Sequence, residues 1–193
     1  MGLFLSSSSP IRRKMLEQAG LEFTVATVEL DENRLKESLS DPAQLATKLA
    51  QAKALAGGAG RASDWVVGSD SVVSLEGHIF SKPKNREEAA GHLRSFSGRT
   101  MTLTSAVALA RSGEIDWSFC DTAELRVRRL SRQFIADYLD AEWPEVGYCV
   151  GVFRLEGRGV QLFDSIQGSY FTILGMPLLP LLGALRERGV IAS

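Results

Sequence analysis

Cysteine and histidine are scarce in this 193-residue chain: it holds two of each. Cys120 and Cys149 are separated too widely for a Cys-x-x-Cys or Cys/His metal spacing, and with only His78 and His92 a zinc centre is excluded as the expected chemistry. Two such cysteines read as reduced, buried thiols of a cytoplasmic protein, with a single structural disulfide as the alternative. Charge of one sign is also missing, because 22 Lys and Arg oppose 23 Asp and Glu for a net charge of -1. That balance gives no global attraction to nucleic acid or to an anionic membrane, so any anion-binding surface has to be local. No apolar run approaches the ~18 residues of a membrane span, and the opening MGLFLSSSS has no basic n-region or full apolar core of a signal peptide.

What is present is an alternation of strand-like and helix-like segments without repeats or low-complexity linkers. Leu3–Leu5 reads as a strand and the stretch from Pro10 to Ala19 as a helix stopping at Gly20. Leu21–Leu30 has strand composition, and Asp41-Pro42 caps and opens a helix ending at Gly57-Gly58. Trp65 begins a strand that turns at Glu76-Gly77 into HIF, and a helix follows from Asn85 to Phe96. Strands are expected over Met101–Ala110 and Trp117–Val127, a helix capped by Ser131, and glycine-punctuated β structure over Gly147–Leu162. A last helix covers Leu178–Arg188. The pattern predicts one α/β domain spanning residues 1–193, with a mixed sheet flanked by helices.

Two segments carry residues that a bare fold does not need. In SSSSPIRRKMLEQAG, Ser9 is placed to cap and Pro10 to occupy the first helical position. Arg12, Arg13 and Lys14 then fall in the first turn, where cations oppose the helix dipole. The conflict disappears if an anion binds there, held by backbone N–H groups, serine hydroxyls and guanidinium. Helical phase puts Arg12 within the arc of the apolar stripe Ile11, Met15, Leu16 and Ala19, and Arg13 and Lys14 outside it, which favours Arg12 as the ligand-binding cation. The alternative is a set of solvated basic residues behind a capping serine.

In WVVGSDSVV, Asp70 stands between apolar β-branched runs. A carboxylate in a strand core is costly unless it is paired, metal-bound or part of a site. Asp70 is therefore expected to bind a divalent cation or to take a proton from water, against the plainer reading that it ends a strand and caps a turn. The hairpin could carry Lys82 back toward Asp70. Asp31-Glu32 could share a metal or simply sit in a loop. Lys48 and Lys53 both flank the stripe of the Pro42 helix, and phase does not choose between them.

These segments together resemble the Maf (septum-formation) family of nucleoside triphosphate pyrophosphatases. The similarity follows the whole chain in order: SSSSPIRRKML, VELDE, LAQAKA, VVGSDSVV, SKP, AAGHLRSFSGR and GSYFTILGMPLLPL. It implies a twisted mixed sheet with a cleft between two lobes, and hydrolysis of a nucleoside triphosphate to monophosphate and pyrophosphate with Mg²⁺ or Mn²⁺. Carried over by position, Asp70 matches the proton acceptor and Glu32 the acidic residue that helps it hold the metal. Arg12, Lys53 and Lys82 match phosphate-binding cations, and Ser7 and Ser9 the serines of the first loop. The resemblance settles Lys53 over Lys48.

Three further positions separate two branches of the family. Here they are Ile11, Ser71 and Glu156. Glu156 favours the 7-methyl-GTP branch over the dTTP/UTP branch, which carries Arg, Thr and Gln at these places. A carboxylate accepts hydrogen bonds from guanine N1–H and N2–H₂, whereas Ile11 offers no ring to stack on a cationic purine. An inosine/xanthosine triphosphate pyrophosphatase and a non-catalytic nucleotide-binding regulator of cell division are the competing readings. The expected partner is a free nucleoside triphosphate, not nucleic acid or membrane, and a homodimer is compatible with the sequence.

Overall fold

The computed structural model describes residues 2–26, 28 and 30–192. Strand β1 (Leu3–Ser6) is followed by helix α1 (Pro10–Gln18), a two-residue strand β2 (Thr24–Val25), helix α2 (Asn33–Ser38) and helix α3 (Pro42–Gly57). Next come strand β3 (Trp65–Leu75), its hairpin partner β4 (His78–Phe80) and helix α4 (Arg86–Phe96). Strands β5 (Thr100–Arg111) and β6 (Glu114–Val127), helix α5 (Arg132–Glu142), strand β7 (Phe163–Gln167), the single turn α6 (Tyr170–Ile173) and helix α7 (Leu178–Glu187) complete the order. The seven strands form one sheet in the order β2-β1-β3-β5-β6-β7, with β4 beside β3. Pairing is parallel for β1 with β2 and β3, and antiparallel for β3 with β4 and β6 with β7, so the sheet is mixed as expected.

Local chemistry accounts for most boundaries. The Asp41 carboxylate accepts from the Gln44 amide at 2.7 Å, Asn85 from Glu88 at 2.9 Å and Ser131 from Phe134 at 3.1 Å. Each cap satisfies a donor that the first turn leaves without an intrahelical partner. Glu76 and Gly77 both take positive φ, +51° and +82°, as a tight two-residue hairpin turn requires.

Three expectations need correction. The strand expected over Leu21–Leu30 amounts to Thr24–Val25 among the described residues, with Thr27 and Glu29 lying outside them. Both residues of β2 are exposed at the sheet edge, so strand composition here had no partner on its outer side to extend it. Gly147–Leu162 is not β structure. It holds two 3₁₀ turns, Glu145–Tyr148 and Arg158–Leu162, and a β-carbon at Gly159 would lie 2.5 Å from the Arg154 carbonyl oxygen. The glycines there serve a folded-back loop. Cys120 and Cys149 are free, as expected, but half-buried rather than buried.

The chain divides into two compact units. The first comprises residues 1–71, 104–121 and 169–193. Its core joins Leu3, Leu5, Leu16, Val67, Leu109 and Leu181, from both sheet and helices. The second comprises residues 72–103 and 122–168, where α4 packs on α5 and Phe153 meets Phe163 edge-on at 5.0 Å. Strands β3, β5 and β6 each begin or end in one unit and continue in the other. Among the described residues no helix is long and apolar enough to cross a membrane.

Candidate active site

Strand β3 positions the acidic centre of the first unit. Register pairs Ser6 of β1 with Gly68, so the loop carrying Ser7 and Ser9 leaves the sheet beside the segment 68–71. Side chains alternate along a strand, which puts Gly68 and Asp70 on one face and Ser69 and Ser71 on the other. A β-carbon at Gly68 would lie 2.2 Å from the Ala50 carbonyl oxygen and 2.4 Å from the Ala54 nitrogen. Helix α3 therefore rests with its backbone on β3, and this contact brings Lys53, the neighbour of Ala54, over Asp70.

Lys53 Nζ is ion-paired with the Asp70 carboxylate and, at 2.8 Å, with Glu32 Oε1. Asp70 is 9% exposed, so the charge that the strand core could not hold alone is paired, and Asp70 does not cap a turn. Glu32, just before α2, also accepts from Lys36 Nζ at 2.6 Å. Burial pushes the Glu32 carboxyl up, but the hydrogen bonds and charges of Lys36 and Lys53 outweigh it and hold the pKa down at about 2. Lys48 is exposed on α3.

The other face of β3 receives Arg12. Among its contacts, Nε donates to the Gly175 carbonyl at 2.8 Å, Nη1 to the Ser69 carbonyl at 2.9 Å and Nη2 to Ser71 Oγ at 2.9 Å. Arg13 instead pairs with Glu17 at the surface and Lys14 is exposed, whereas Arg12, in phase with the apolar stripe, turns toward β3. Ser9 occupies the N-cap position without a side-chain cap bond, and its amide donates to Ser7 Oγ at 3.2 Å. Ile11 is half-buried at the start of α1.

Lys82 and Glu156 belong to the second unit, and both are exposed. They share a neighbour that sequence reasoning did not assign, Cys149. Burial raises this thiol first, Glu156 raises it further, and Lys82 and Arg154 oppose, leaving a pKa of about 11. Arg154 donates to the buried Glu142 carboxylate at 2.9 Å. Nearby Val152 sits at φ +56°, a strained backbone for a β-branched residue, and its carbonyl accepts from Tyr138 Oη at 3.1 Å. Ser69, Ser105 and Gly175 were likewise missed as supports of Arg12. Gly175 belongs to the quoted GSYFTILGMP segment, whereas nothing in the pattern of β5 singles out Ser105.

Among the described residues no three His, Cys, Asp or Glu side chains gather into a metal cage. Two carboxylates meeting at one ammonium nevertheless suit a hard divalent cation that takes one or two carboxylates and completes its shell with water and phosphate oxygens. Glu32 and Asp70 are the residues that fit this role. Two surface hollows of about 550 and 570 Å³, the second bordered by Lys48, contain none of Ser7, Ser9, Arg12, Glu32, Lys53, Asp70, Lys82 and Glu156 and do not mark the site.

Comparison with known proteins gives this arrangement a context. A family profile described as Maf-like protein matches residues 2–188. A 7-methyl-GTP pyrophosphatase of Rhizobium etli is 46% identical over 193 residues, covering 98% of this chain and 97% of its own. A nucleoside triphosphate pyrophosphatase of Sphingopyxis alaskensis is 42% identical over 195 residues, covering 98% of each. A solved nucleoside-triphosphatase, a dITP/XTP pyrophosphatase from Mycobacterium abscessus, aligns with a TM-score of 0.43 at 17% identity, over 67% of this chain and 74% of that one. The profile spans nearly the whole length and the relatives match end to end, so the chain belongs to the Maf-like protein family.

Proposed function

We propose that this protein is a nucleoside triphosphate pyrophosphatase acting on 7-methyl-GTP or a similar modified purine nucleotide. The observation that carries the reading is the Lys53 ammonium shared by Asp70 and Glu32 in a chain of this family. The name of the Rhizobium etli relative, at 46% identity, supports the same substrate class.

A triphosphate is slow to hydrolyse mainly because its charge repels a nucleophile, so the protein has to neutralise, align and activate water. Asp70, held in place by Lys53, would orient a water molecule toward the α-phosphorus and take its proton as the new P–O bond forms. The bond between the α-phosphorus and the bridging oxygen breaks, and pyrophosphate leaves with the electron pair. Arg12, Lys53 and Lys82 would oppose the charge growing on the leaving group, with Ser7 and Ser9 lining the phosphate loop. Glu32 and Asp70 would hold Mg²⁺ or Mn²⁺, which when bound supplies further neutralisation of phosphate charge. Glu156 would accept hydrogen bonds from guanine N1–H and N2–H₂, while Ile11 offers only apolar contact and Ser71 belongs with the specificity positions. This reading takes the chain as one functional domain over residues 1–193, working in the cytoplasm on free nucleotides.

The test is a pyrophosphate-release screen over canonical and modified triphosphates with each metal. We expect 7-methyl-GTP to lead. Preference for dTTP or UTP would overturn the assignment of Glu156, and binding without turnover would overturn the enzyme assignment.

A further inference from the structure

Helix α5 reaches the loop that carries Glu156 from two successive turns. Tyr138 and Glu142 are an i, i+4 pair and share one face of the helix. Tyr138 Oη donates to the Val152 carbonyl at 3.1 Å, and the Glu142 carboxylate accepts from Arg154 Nη2 at 2.9 Å. Glu142 is 6% exposed, and its carboxylate has no other hydrogen-bond partner among the described residues. A buried carboxylate is tolerable only when paired, so Glu142 has a strong hold on the guanidinium.

The loop folds back just beyond that contact. The Gly157 amide donates to the Arg154 carbonyl at 3.2 Å, which closes a turn with Leu155 and Glu156 at its corners. A β-carbon at Gly159 would lie 2.5 Å from the Arg154 carbonyl oxygen and 2.7 Å from its amide nitrogen, so only glycine lets the returning chain rest on the Arg154 backbone. Arg154 is thus held twice, its main chain by Gly157 and Gly159 and its side chain by Glu142. Glu156 is exposed at the turn and makes no hydrogen bond or ion pair among the described residues.

That openness has a competitor beside it. The Arg154 pKa is raised, first by the hydrogen bond to Glu142 and then by the charges of Glu142 and Glu156, with burial opposing. Glu156 is therefore a second carboxylate in the field of the same guanidinium. Pairing with Arg154 would occupy the oxygens that are to accept from a guanine edge and cancel their charge. The buried carboxylate prevails because a charge-assisted hydrogen bond is stronger away from water than at the surface.

We infer that Glu142 is a positioning residue for base recognition: it draws the Arg154 guanidinium away from Glu156 and so leaves the Glu156 carboxylate open to the base. The inference rests on the proposed role of Glu156 in reading guanine. All of its parts lie within the second unit.

The first readout is the ratio of kcat/KM for 7-methyl-GTP to that for UTP, measured on the full-length protein. Glu142→Met, similar in volume but without an acceptor, should lower this ratio about tenfold, the scale of one hydrogen bond to a charged group. The loss should lie in KM, with kcat within about twofold of wild type. Glu142→Gln keeps an acceptor oxygen and should lower the ratio less; should Glu142→Met fail to give a cooperative melting curve, it carries the same comparisons. Removing the released guanidinium should rescue recognition, so the Glu142→Met, Arg154→Met double variant should return to within about twofold of the wild-type ratio. A merely structural ion pair would show no such rescue. Urea unfolding supplies a readout without substrate. Arg154→Met and Glu156→Gln should be additive while Glu142 is present, and should couple by about threefold in the unfolding constant once it is replaced, the scale of an exposed ion pair.

A wild-type ratio in both Glu142 variants, no rescue in the double variant, or no gain in coupling between Arg154 and Glu156 would each overturn the inference. If the wild type hydrolyses neither nucleotide, or Glu156→Gln leaves the ratio unchanged, the proposed function or its assignment of Glu156 fails instead. The unfolding cycles then still decide whether Glu142 holds the guanidinium away.

Discussion

Glu32 in the first unit and Cys149 in the second are both half-buried acids, and burial pushes each toward its neutral form. They end at opposite extremes. Two ammonium groups, Lys36 and Lys53, drag Glu32 down to about 2. Cys149 has Glu156 raising it further and only partial opposition from Lys82 and Arg154, and it rises to about 11. Tyr138, in the same unit, is raised too, by burial and then by Glu142. Burial alone therefore does not decide the charge of a group; the sign of its nearest partner does. The first unit keeps a fixed cluster of charges, and the second keeps its thiol and phenol protonated.

The most severe way to break this comparison is to remove a charge from the fixed cluster while keeping its shape. Asp70→Asn should lower pyrophosphate release by about 10³-fold with an unchanged circular dichroism spectrum, the scale for loss of a general base. Wild-type turnover in that variant would show that the cluster is structural only.

Removing the shared cation should expose the repulsion it hides. Lys53→Met leaves Glu32 and Asp70 facing one another and should cost about 2 kcal/mol in urea unfolding at pH 7. Much of that loss should return at pH 4, where a carboxyl can protonate. A Lys53→Met variant whose cost is the same at pH 7 and pH 4 would show that carboxylate repulsion is not what the lysine hides.

The units should also fail at opposite ends of the pH scale. Cys149 has a raised pKa, so the native state binds more protons than the unfolded state between pH 9 and about 11. Its contribution is complete below pH 9 and fades as pH rises to about 11, on the order of 1–2 kcal/mol. Urea midpoints at pH 8 and pH 10.5 should differ less in Cys149→Ser than in the wild type. Glu32 has a lowered pKa, so its contribution is complete above 4.5 and fades as pH falls toward 2. Its carboxylate is partly exposed, and the effect should be the smallest here, on the order of 1 kcal/mol after solvent screening. Glu32→Gln should flatten the acid limb between pH 5 and pH 3.

The legible parts of the molecule were those whose cause is local. Asp41, Asn85 and Ser131 cap the helices that their positions announced, and Glu76-Gly77 makes the turn its type demands. Arg12 could be separated from Arg13 because helical phase alone distinguishes them. Lys53 could not be separated from Lys48 in that way, because both border the apolar stripe, and the decision lies in the backbone of a strand distant in sequence. The same limit hid Ser105 and Gly175, whose value comes from where β5 and the turn after α6 place them. In Gly147–Leu162 the glycines were read as β punctuation, but Gly159 allows the Arg154 backbone to approach closely and Gly147 and Gly151 make room for the Trp143 and Phe153 rings, uses that carry no period of two.

Gly68 gives the acidic centre a mechanical property of its own. Where α3 touches β3 there is no side chain to compress or reshuffle, since any β-carbon would collide with the Ala50 carbonyl and the Ala54 amide. The spacing between the α3 backbone that carries Lys53 and the β3 backbone that carries Asp70 is then set by main chain against main chain, a stiff gauge. Substitutions deep among the leucines of α3 could soften the protein and lower its melting point while the lysine kept its grip on the aspartate, so stability and the geometry of this centre can drift independently over evolution.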